Sequence, residues 1–398
     1  MKLQETDALY EDPYLHIDQA LGHESGVIEF PHRQLYLTDL EASQAVLANK
    51  EGKVEEHSDF FFTKKGVFGP RPVQVEIARE SIKFLNAYLD NCAPLLKEEI
   101  SGLLTAVTDW PDTGNWLLYR HFKRALMTES TDIKLQGLID QVVKRAVFSG
   151  ARNRYSLLRR AWFRLRVGRA LRQEFSRRKA QSKARPGDII DIISQATHPG
   201  VDKDDLAEVF LSFLFAMSGS VGFVLGWSFY LLGTHPKQQD LNHPPSWVVK
   251  EALRLWPVAW NSARKPSCEH TVAGRRVGPE DTLVSCPYAV QRNPEYWAEP
   301  DKFLPLRWAK PPKKPAFIPF GWGEHKCVAA ALSMKLVEQI LTLLHDYRIQ
   351  VTHFSERPRA DAALAPPRFS LSFTPKARSP VREAKDEISQ IQGVEEEV

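Results

Sequence analysis

The sequence predicts a mainly α-helical chain with small β-sheets, an α+β class, on three observations. Apolar residues recur at three-to-four spacing through "VQVEIARESIKFLNAYLDNCAPLLKEEISGLLTAV" (73–107), the period of one helix face. The segment "VFLSFLFAMSGSVGFVLGWSFYLL", Val209–Leu232, holds no charged residue and reads as one long helix. "GVIEF" (26–30), "RQLYLTD" (33–39) and "EHTVAGRRVGPEDTLVSCPYAVQR" (269–292) alternate as paired strands do, the last with turns at Gly274 and Gly278.

Bulk composition narrows the function classes. The chain has 398 residues, enough for one large domain or two medium ones. A net charge of +4 is too mild to point to nucleic acid. Cys92, Cys268, Cys286 and Cys327 are far apart, with no CxxC pair. That spacing excludes a zinc ribbon and a disulfide framework, and a reducing, cytoplasmic setting is expected. The opening "MKLQETDALYEDPYLHIDQ" is polar and acidic and lacks the apolar stretch of a secretory signal.

Taken in order, residues 10–60 combine the first two strand-like runs with a helix at "LEASQAVLAN" (40–49). Helical pattern continues from about Val73 to Phe148. The stretch 144–186 is strongly basic, with Glu174 as its only acid. Leu157, Ala161 and Leu165 fall on one face of it. It reads either as a solvated amphipathic helix pair or as a docking face for an acidic partner. "RPGDIIDIISQATHPGVDKDDLAEVF" (185–210) is a loop, a short helix and a second loop, with Asp202 or Asp204 as cap for the next helix. Val209–Leu232 is long enough to span a bilayer. Four serines, three glycines and a flank that is not strongly basic favour a buried central helix instead. No membrane association is expected. Residues 246–255 form a helix stopped by Pro257. "NPEYWAEPDKFLPLRWAKPPKKP" (293–315) is proline-rich and irregular, and such long loops are usually functional. The expected organisation is a single domain over 1–375 and a charged, disordered tail over 376–398.

Chemistry concentrates in "FIPFGWGEHKC", Phe317–Cys327. A lone cysteine stands between a glycine-bearing loop and an apolar helix. Helix-start N–H groups and the dipole favour an anion there, so a lowered thiol pKa is expected. Gly321 and Gly323 allow a tight turn and close approach to a flat ligand. A thiolate without protein co-ligands suits one axial bond to a haem iron. A catalytic nucleophile and an inert buried cysteine are the rival readings. Upstream, Glu251 and Arg254 sit i,i+3 on one helix, a pair worth only ~0.2–0.5 kcal/mol if it is exposed. Arg307 follows in "FLPLRW". "SGSVG" around Ser220 lacks the first glycine and the strand–turn–helix setting of a hydrolase elbow.

These motifs, in this order, resemble the cytochrome P450 family over most of the chain. The family's haem loop, Phe-x-x-Gly-x-His/Arg-x-Cys-x-Gly, is matched by Phe320, Gly323, His325 and Cys327, with Ala329 replacing the last glycine. Its Glu-x-x-Arg motif matches Glu251 and Arg254. Its Pro-Glu-Arg-Phe/Trp motif matches Pro305-Leu306-Arg307-Trp308, with the acid lost. The resemblance implies the family's roughly triangular helical fold, with haem b (iron protoporphyrin IX) buried between a long central helix and the cysteine loop. It implies Cys327 as the metal ligand, Glu251, Arg254 and Arg307 as a structural triad, and Arg264 as a propionate-binding arginine. His325 is expected near a haem carboxylate.

Three departures stand out. The family's mid-helix Ala/Gly-Gly-x-Asp/Glu-Thr reads Ala216-Met217-Ser218-Gly219-Ser220 here. Ser220 takes the alcohol position and Gly219 removes the acid of the proton relay, which the Ser218 hydroxyl does not replace near neutral pH. The early-helix Trp-x-x-x-Arg is missing, leaving Arg71 or Arg79 for a propionate. Ala329 adds a methyl beside the expected haem plane. Ala216, Met217, Ser218 and Ser220 are expected to face the distal pocket, with Val258, Ala259 and Trp260 beside it. Trp260 reads equally as core.

The resemblance implies a monooxygenase that uses O2 and two external electrons, delivered by a ferredoxin and its reductase, to hydroxylate an apolar or natural-product substrate in bacterial secondary metabolism. Two alternatives remain open. One is oxidative coupling of aromatic side chains in a peptide or carrier-bound substrate, with an acidic carrier or peptide docked at 144–186. The other is a haem-binding protein without turnover.

Overall fold

The computed structural model describes residues 13–21, 26–147, 156–181, 185–196, 201–353, 358–360 and 363–376. Part of the acidic N-terminal stretch and nearly all of the expected tail lie outside the described residues. Helices dominate; strands form within 26–39 and 269–292 where the sequence alternates, and the sheet of 108–110, 347–353 and 369–375 was not read from sequence.

The N-terminal quarter builds one sheet around helices α1 (Pro13–Ala20) and α2 (Leu40–Ala48). Strands β1 (Val27–Phe30) and β2 (Gln34–Leu37) pair antiparallel, with Val27 opposite Leu37. Strand β2 then runs parallel to β9 (Thr282–Ser285), with Leu35 opposite Leu283, and β6 (Ser262–Arg264) pairs with the far edge of β9. Alternation buries Val27, Leu35, Leu37 and Leu283 against Ala42 and Val46 of α2. The Asp39 side chain caps α2 by accepting the Ala42 N–H at 2.7 Å. The turn at Gly274 joins β7 (His270–Val272) to β8 (Arg275–Val277). The hairpin of β3 (Phe62–Thr63) and β4 (Gly66–Val67) leads into α3 (Arg71–Asn91), which starts with a proline in its first turn. Helix α4 (Ala93–Ser101) follows. Strand β5 (Thr108–Trp110) then joins β13 (Phe369–Pro375) and β10 (Tyr347–His353) in a three-stranded sheet.

Helices α5 (Asp112–Leu126) and α6 (Ile133–Val142) precede α7 (Leu157–Ala180) and α8 (Ile189–Gln195). The face of α7 differs from the expected one. Leu165 is 69% exposed and Ala161 is exposed, whereas Val167, Leu171 and Phe175 are buried. The Leu157 side chain lies outside the described part. Charge sets this register. Glu174, the lone acid of the basic run, is buried and accepts from Arg178 Nε at 2.7 Å. Arg178 also donates to Asp188 of the α8 cap at 2.9 Å, to Thr131 at 2.8 Å and to Asp191. A buried guanidinium needs such partners, so the face that carries it turns inward.

The central helix α9 (Lys203–Thr234) is the apolar segment read from sequence. Asp202 caps it, accepting the N–H groups of Asp204 and Asp205. It is long and apolar enough to cross a membrane, and 67% of its most apolar window is buried inside the fold. Trp227 stacks on Trp256 with centroids 4.4 Å apart. A Cβ on Gly222 would stand 2.1 Å from Asn115 Oδ1, so α5 lies close against α9 only because position 222 is glycine. Midway, Ala216–Ser220 widens into a π-turn in which the Val221 N–H reaches Ala216 O. Short α10 (Pro236–Asp240) leads to α11 (Pro245–Leu255), and α12 (Pro287–Val290) follows β9. Helix α13 (Ala330–Leu343) leaves the cysteine loop and packs on α11.

Candidate active site

The region behind the cysteine loop is organised by one carboxylate. Glu251 and Arg254, on α11, are both fully buried, so the surface-pair reading does not apply. Arg254 Nε donates to Glu251 Oε2 at 3.0 Å and Nη2 to Oε1 at 2.9 Å. Arg307 Nε donates to Oε1 at 2.9 Å, and so does the Leu304 N–H at 3.1 Å. The Trp308 indole N–H completes the set at Oε2, 2.9 Å away. The outer edge of Arg254 donates to the carbonyls of Gln291 and Pro300, at 2.9 and 2.7 Å. The proline-rich stretch after residue 293 is thereby fixed to α11. Burial pulls the Arg254 guanidinium pKa down and Glu251 opposes it. The missing acid of "PLRW" leaves Leu306 60% exposed, away from this network.

Gln291 carries the order on to the loop. Its Nε2 donates to Leu253 O and Arg254 O, each at 2.9 Å, and its Oε1 accepts the Ile318 N–H at 2.8 Å. One buried amide therefore ties α11 to the strand-like entry of "FIPFGWGEHKC".

The loop then turns on itself. Gly321 and Gly323 have φ of +74° and +72°, values that favour glycine. The Cys327 N–H donates to Phe320 O at 2.9 Å, closing the loop around the thiol. Gly323 serves a different neighbour from the flat ligand expected: a Cβ there would stand 2.7 Å from Ala48 Cα, so it admits the end of α2. Ala329 caps α13 with ordinary dihedrals (φ −90°), and its carbonyl accepts from Ser333.

The thiol itself departs from expectation. Cys327 keeps exposed surface, yet surrounding protein desolvates it, and that burial pushes its pKa up. The Ala329 N–H and Lys326 pull the other way and lose. Helix α13 begins three residues later, too far for its dipole to win. A metal cation deprotonates a coordinating thiol outright, so this sulfur suits a metal ligand better than a free nucleophile.

Cations gather beside it. Arg71, at the start of α3, donates to Glu324 O and stands with Nη1 3.5 Å from His325 Nδ1. Arg79 is directed elsewhere, to Glu80 on the surface. Of the two candidates only Arg71 reaches the loop. Burial lowers the His325 pKa, and the charges of Arg71 and Arg264 lower it further. Arg264 is buried on β6, and its two Nη groups donate to Asp59 Oδ1 and Oδ2 at 3.1 and 3.0 Å. Two guanidinium groups and an imidazole that favours neutrality are the chemistry that would suit the carboxylates of a haem held at this loop.

On α9, Glu208, Leu211, Ser212, Phe215, Ala216, Ser220 and Phe223 stay partly open along a helix otherwise mostly buried. Their spacing marks one face. Ala216 and Ser220 are on it. Met217, Ser218 and Gly219 are buried, which corrects the expectation that Met217 and Ser218 face a pocket. The Ser218 hydroxyl donates to Leu214 O at 2.6 Å. Ala259 is exposed. Val258 is buried, its carbonyl accepting the Leu364 N–H at 2.9 Å. Trp260 belongs to the core, edge-on to Tyr14 with centroids 5.2 Å apart.

Sequence reasoning missed Gln291 and Asp59, and it named Trp308 as a motif residue without its bond to Glu251. Gln291 sits in "VQRNP" and carries no spacing signal of its own. Asp59 lies 205 residues from its partner.

Comparison with known proteins agrees with this arrangement. The family model described as "Cytochrome P450" matches residues 246–373, the span holding Glu251, Gln291, Arg307 and the cysteine loop. Cyclooctat-9-en-7-ol 5-monooxygenase of Streptomyces melanosporofaciens is 30% identical over 201 residues, covering 42% of this chain and 44% of that enzyme. The chain thus matches less than half the length of that relative. Among solved structures, a zebra fish cytochrome P450 with progesterone superposes with a TM-score of 0.71 at 18% identity, over 91% of this chain and 99% of the other. P450BioI in complex with a hexadec-9Z-enoic acid-ligated acyl carrier protein gives 0.67 at 17% identity, over 93% of this chain and 100% of the other. With the buried Glu251 network and the cysteine loop in place, the chain has the cytochrome P450 fold, and its residues 246–373 are of the cytochrome P450 family.

Proposed function

We propose that the protein is a haem-thiolate monooxygenase that binds haem b through Cys327 and oxidises an apolar or natural-product substrate with O2 and two electrons from a ferredoxin and its reductase. The observation that carries this reading is the loop closed by Cys327 N–H to Phe320 O and anchored through Gln291 to the buried Glu251–Arg254 pair. That chain of bonds holds one thiol in place, and among the described residues no cluster of His, Cys, Asp or Glu stands ready to share a metal with it. A haem held there supplies oxygen activation and C–H oxidation, chemistry that belongs to the cofactor.

The chain's own residues orient and exclude. Cys327 would hold the iron, and the Phe320 carbonyl accepts its N–H. Arg71, His325 and Arg264 are the groups for the haem carboxylates. The open face of α9, through Ala216 and Ser220, would line the substrate side of the site, with Phe215 and Phe223 excluding water from it. Ser220 offers the only hydroxyl at the family's relay position, and Gly219 offers no acid, so protons reach the site through water or substrate. Hydroxylation of a carbocyclic compound is supported by the relative that acts on cyclooctat-9-en-7-ol.

Oxidative coupling is the second reading, favoured by the missing acid at 219 and by the outer face of α7. There Leu158, Trp162 and Leu165 are 84%, 59% and 69% exposed among Arg159, Arg160, Arg164, Arg166 and Arg169, a surface suited to an acidic carrier. The likeness to P450BioI with its carrier protein supports the same partner class. Product mass separates the two: gain of one oxygen supports hydroxylation, and loss of two hydrogens supports coupling. Loading with hemin and recording the reduced, CO-treated spectrum tests the reading as a whole.

A further inference from the structure

The geometry points to Asp59 as a built-in rival for the haem carboxylate at Arg264, a carboxylate that must release this arginine before the cofactor seats fully. This rests on the haem reading above.

Arg264 is buried, its side chain 4% exposed, and both of its Nη groups donate to one carboxylate. That paired geometry is the one an arginine uses for any carboxylate. Asp59 fills it from inside the chain. Its side chain is 48% exposed, so it has room to leave. It also has somewhere to go, because His57 Nε2 stands 3.1 Å from Asp59 Oδ1 and remains as a partner. The arginine has no such freedom. It is anchored by a bond from Nη1 to Ala263 O at 2.8 Å and by its place on β6 opposite Leu283. Ser262 Oγ, 3.5 Å from Oδ2, adds only a weak hold. When two carboxylates compete for one fixed guanidinium, the mobile and exposed one yields. Asp59 lies just before β3, so its release would loosen the approach to the β3–β4 hairpin. The Lys65 side chain of that hairpin reaches Asp202 and Asp205 at the start of α9.

The test is the equilibrium partition of hemin between the protein and apomyoglobin, read from the Soret bands. Asp59→Asn removes the rival charge and keeps the shape, and it is expected to shift the partition toward this protein at least fivefold. Asp59→Ala is the second variant, with circular dichroism melts to confirm that both fold. In an Arg264→Gln background the same Asp59 changes are expected to shift partition less than twofold, because the contested group is gone. Unchanged or weaker hemin retention in both Asp59 variants overturns the inference, and so does an undiminished shift without Arg264. If the wild-type protein takes no hemin at all, the haem reading itself falls. If it takes hemin and the Asp59 variants behave as wild type, only the rivalry falls.

Discussion

The Trp308 indole N–H donates to Glu251 at 2.9 Å, on the carboxylate oxygen opposite the one that Arg307 holds at the same distance. Two adjacent residues of "PLRW" therefore grip both oxygens of a fully buried acid 56 and 57 positions earlier. With Arg254 between them, every lone-pair direction of Glu251 is used, and a buried charge is tolerated only on that condition.

Removing this acid strands its partners. Glu251→Ala leaves the buried Arg254 guanidinium with backbone carbonyls alone. Breaking such a buried pair costs about 3–5 kcal/mol, against ~0.2–0.5 kcal/mol for an exposed pair at the same spacing. Urea unfolding is expected to give a loss in the larger range, and a loss below 1 kcal/mol would mean that the network is not the lock described.

Gln291 makes the connection to the cysteine loop. Gln291→Leu leaves the Leu253 and Arg254 carbonyls and the Ile318 N–H without this partner. An unsatisfied buried group costs about 1–3 kcal/mol. Thermal melts should show destabilisation, and the Soret position of hemin-loaded protein should change because the loop entry shifts. A melt change with an unaltered spectrum would limit Gln291 to stability.

The two loop glycines are separable. Gly323→Ala sets a Cβ 2.7 Å from Ala48 Cα at a φ of +72°, combining a clash with left-handed strain of about 1–3 kcal/mol. Gly321→Ala meets nothing nearer than Lys326 Cα at 4.0 Å and bears only the ~1–2 kcal/mol of an alanine in that region. The alanine at 323 is expected to melt lower and hold hemin more weakly than the alanine at 321. The reverse order would contradict the close approach of α2.

Acid sensitivity has an identified contributor. Burial raises the Glu174 pKa, but hydrogen bonds from Arg177 and Arg178 outweigh it and hold the carboxyl below its ordinary value. A carboxyl depressed on folding adds stability above its unfolded pKa, about 4.3, and loses it as pH falls through the folded value. Glu174→Gln is expected to cost about 1–3 kcal/mol near neutral pH, with a shrinking difference from wild type below about pH 4. Denaturation at pH 7 and pH 3 checks the sign.

Much of this was legible in the sequence because the chemistry is local. Cys327, its glycines and His325 lie within seven residues, and Glu251 and Arg254 share one helix turn. The strands at 27–37 and 270–285 follow alternation. What could not be read depends on long range or on register. Asp59 meets Arg264 across 205 residues. The π-turn at 216–220 changes which side chains follow one face, so Ser218 turns inward while Ala216 and Ser220 stay open, and no proline announces it. The inward face of α7 is chosen by Arg178 meeting Asp188 and Asp191, carboxylates that only the folded chain brings near.

The most direct measurement is the spectrum of reduced, CO-treated protein loaded with hemin, for wild type and Cys327→Ala. A thiolate bond from Cys327 predicts a strongly red-shifted Soret band in wild type that disappears in the alanine variant. A histidine-type band in freshly prepared wild type, or a red-shifted band that survives the loss of Cys327, would contradict the account.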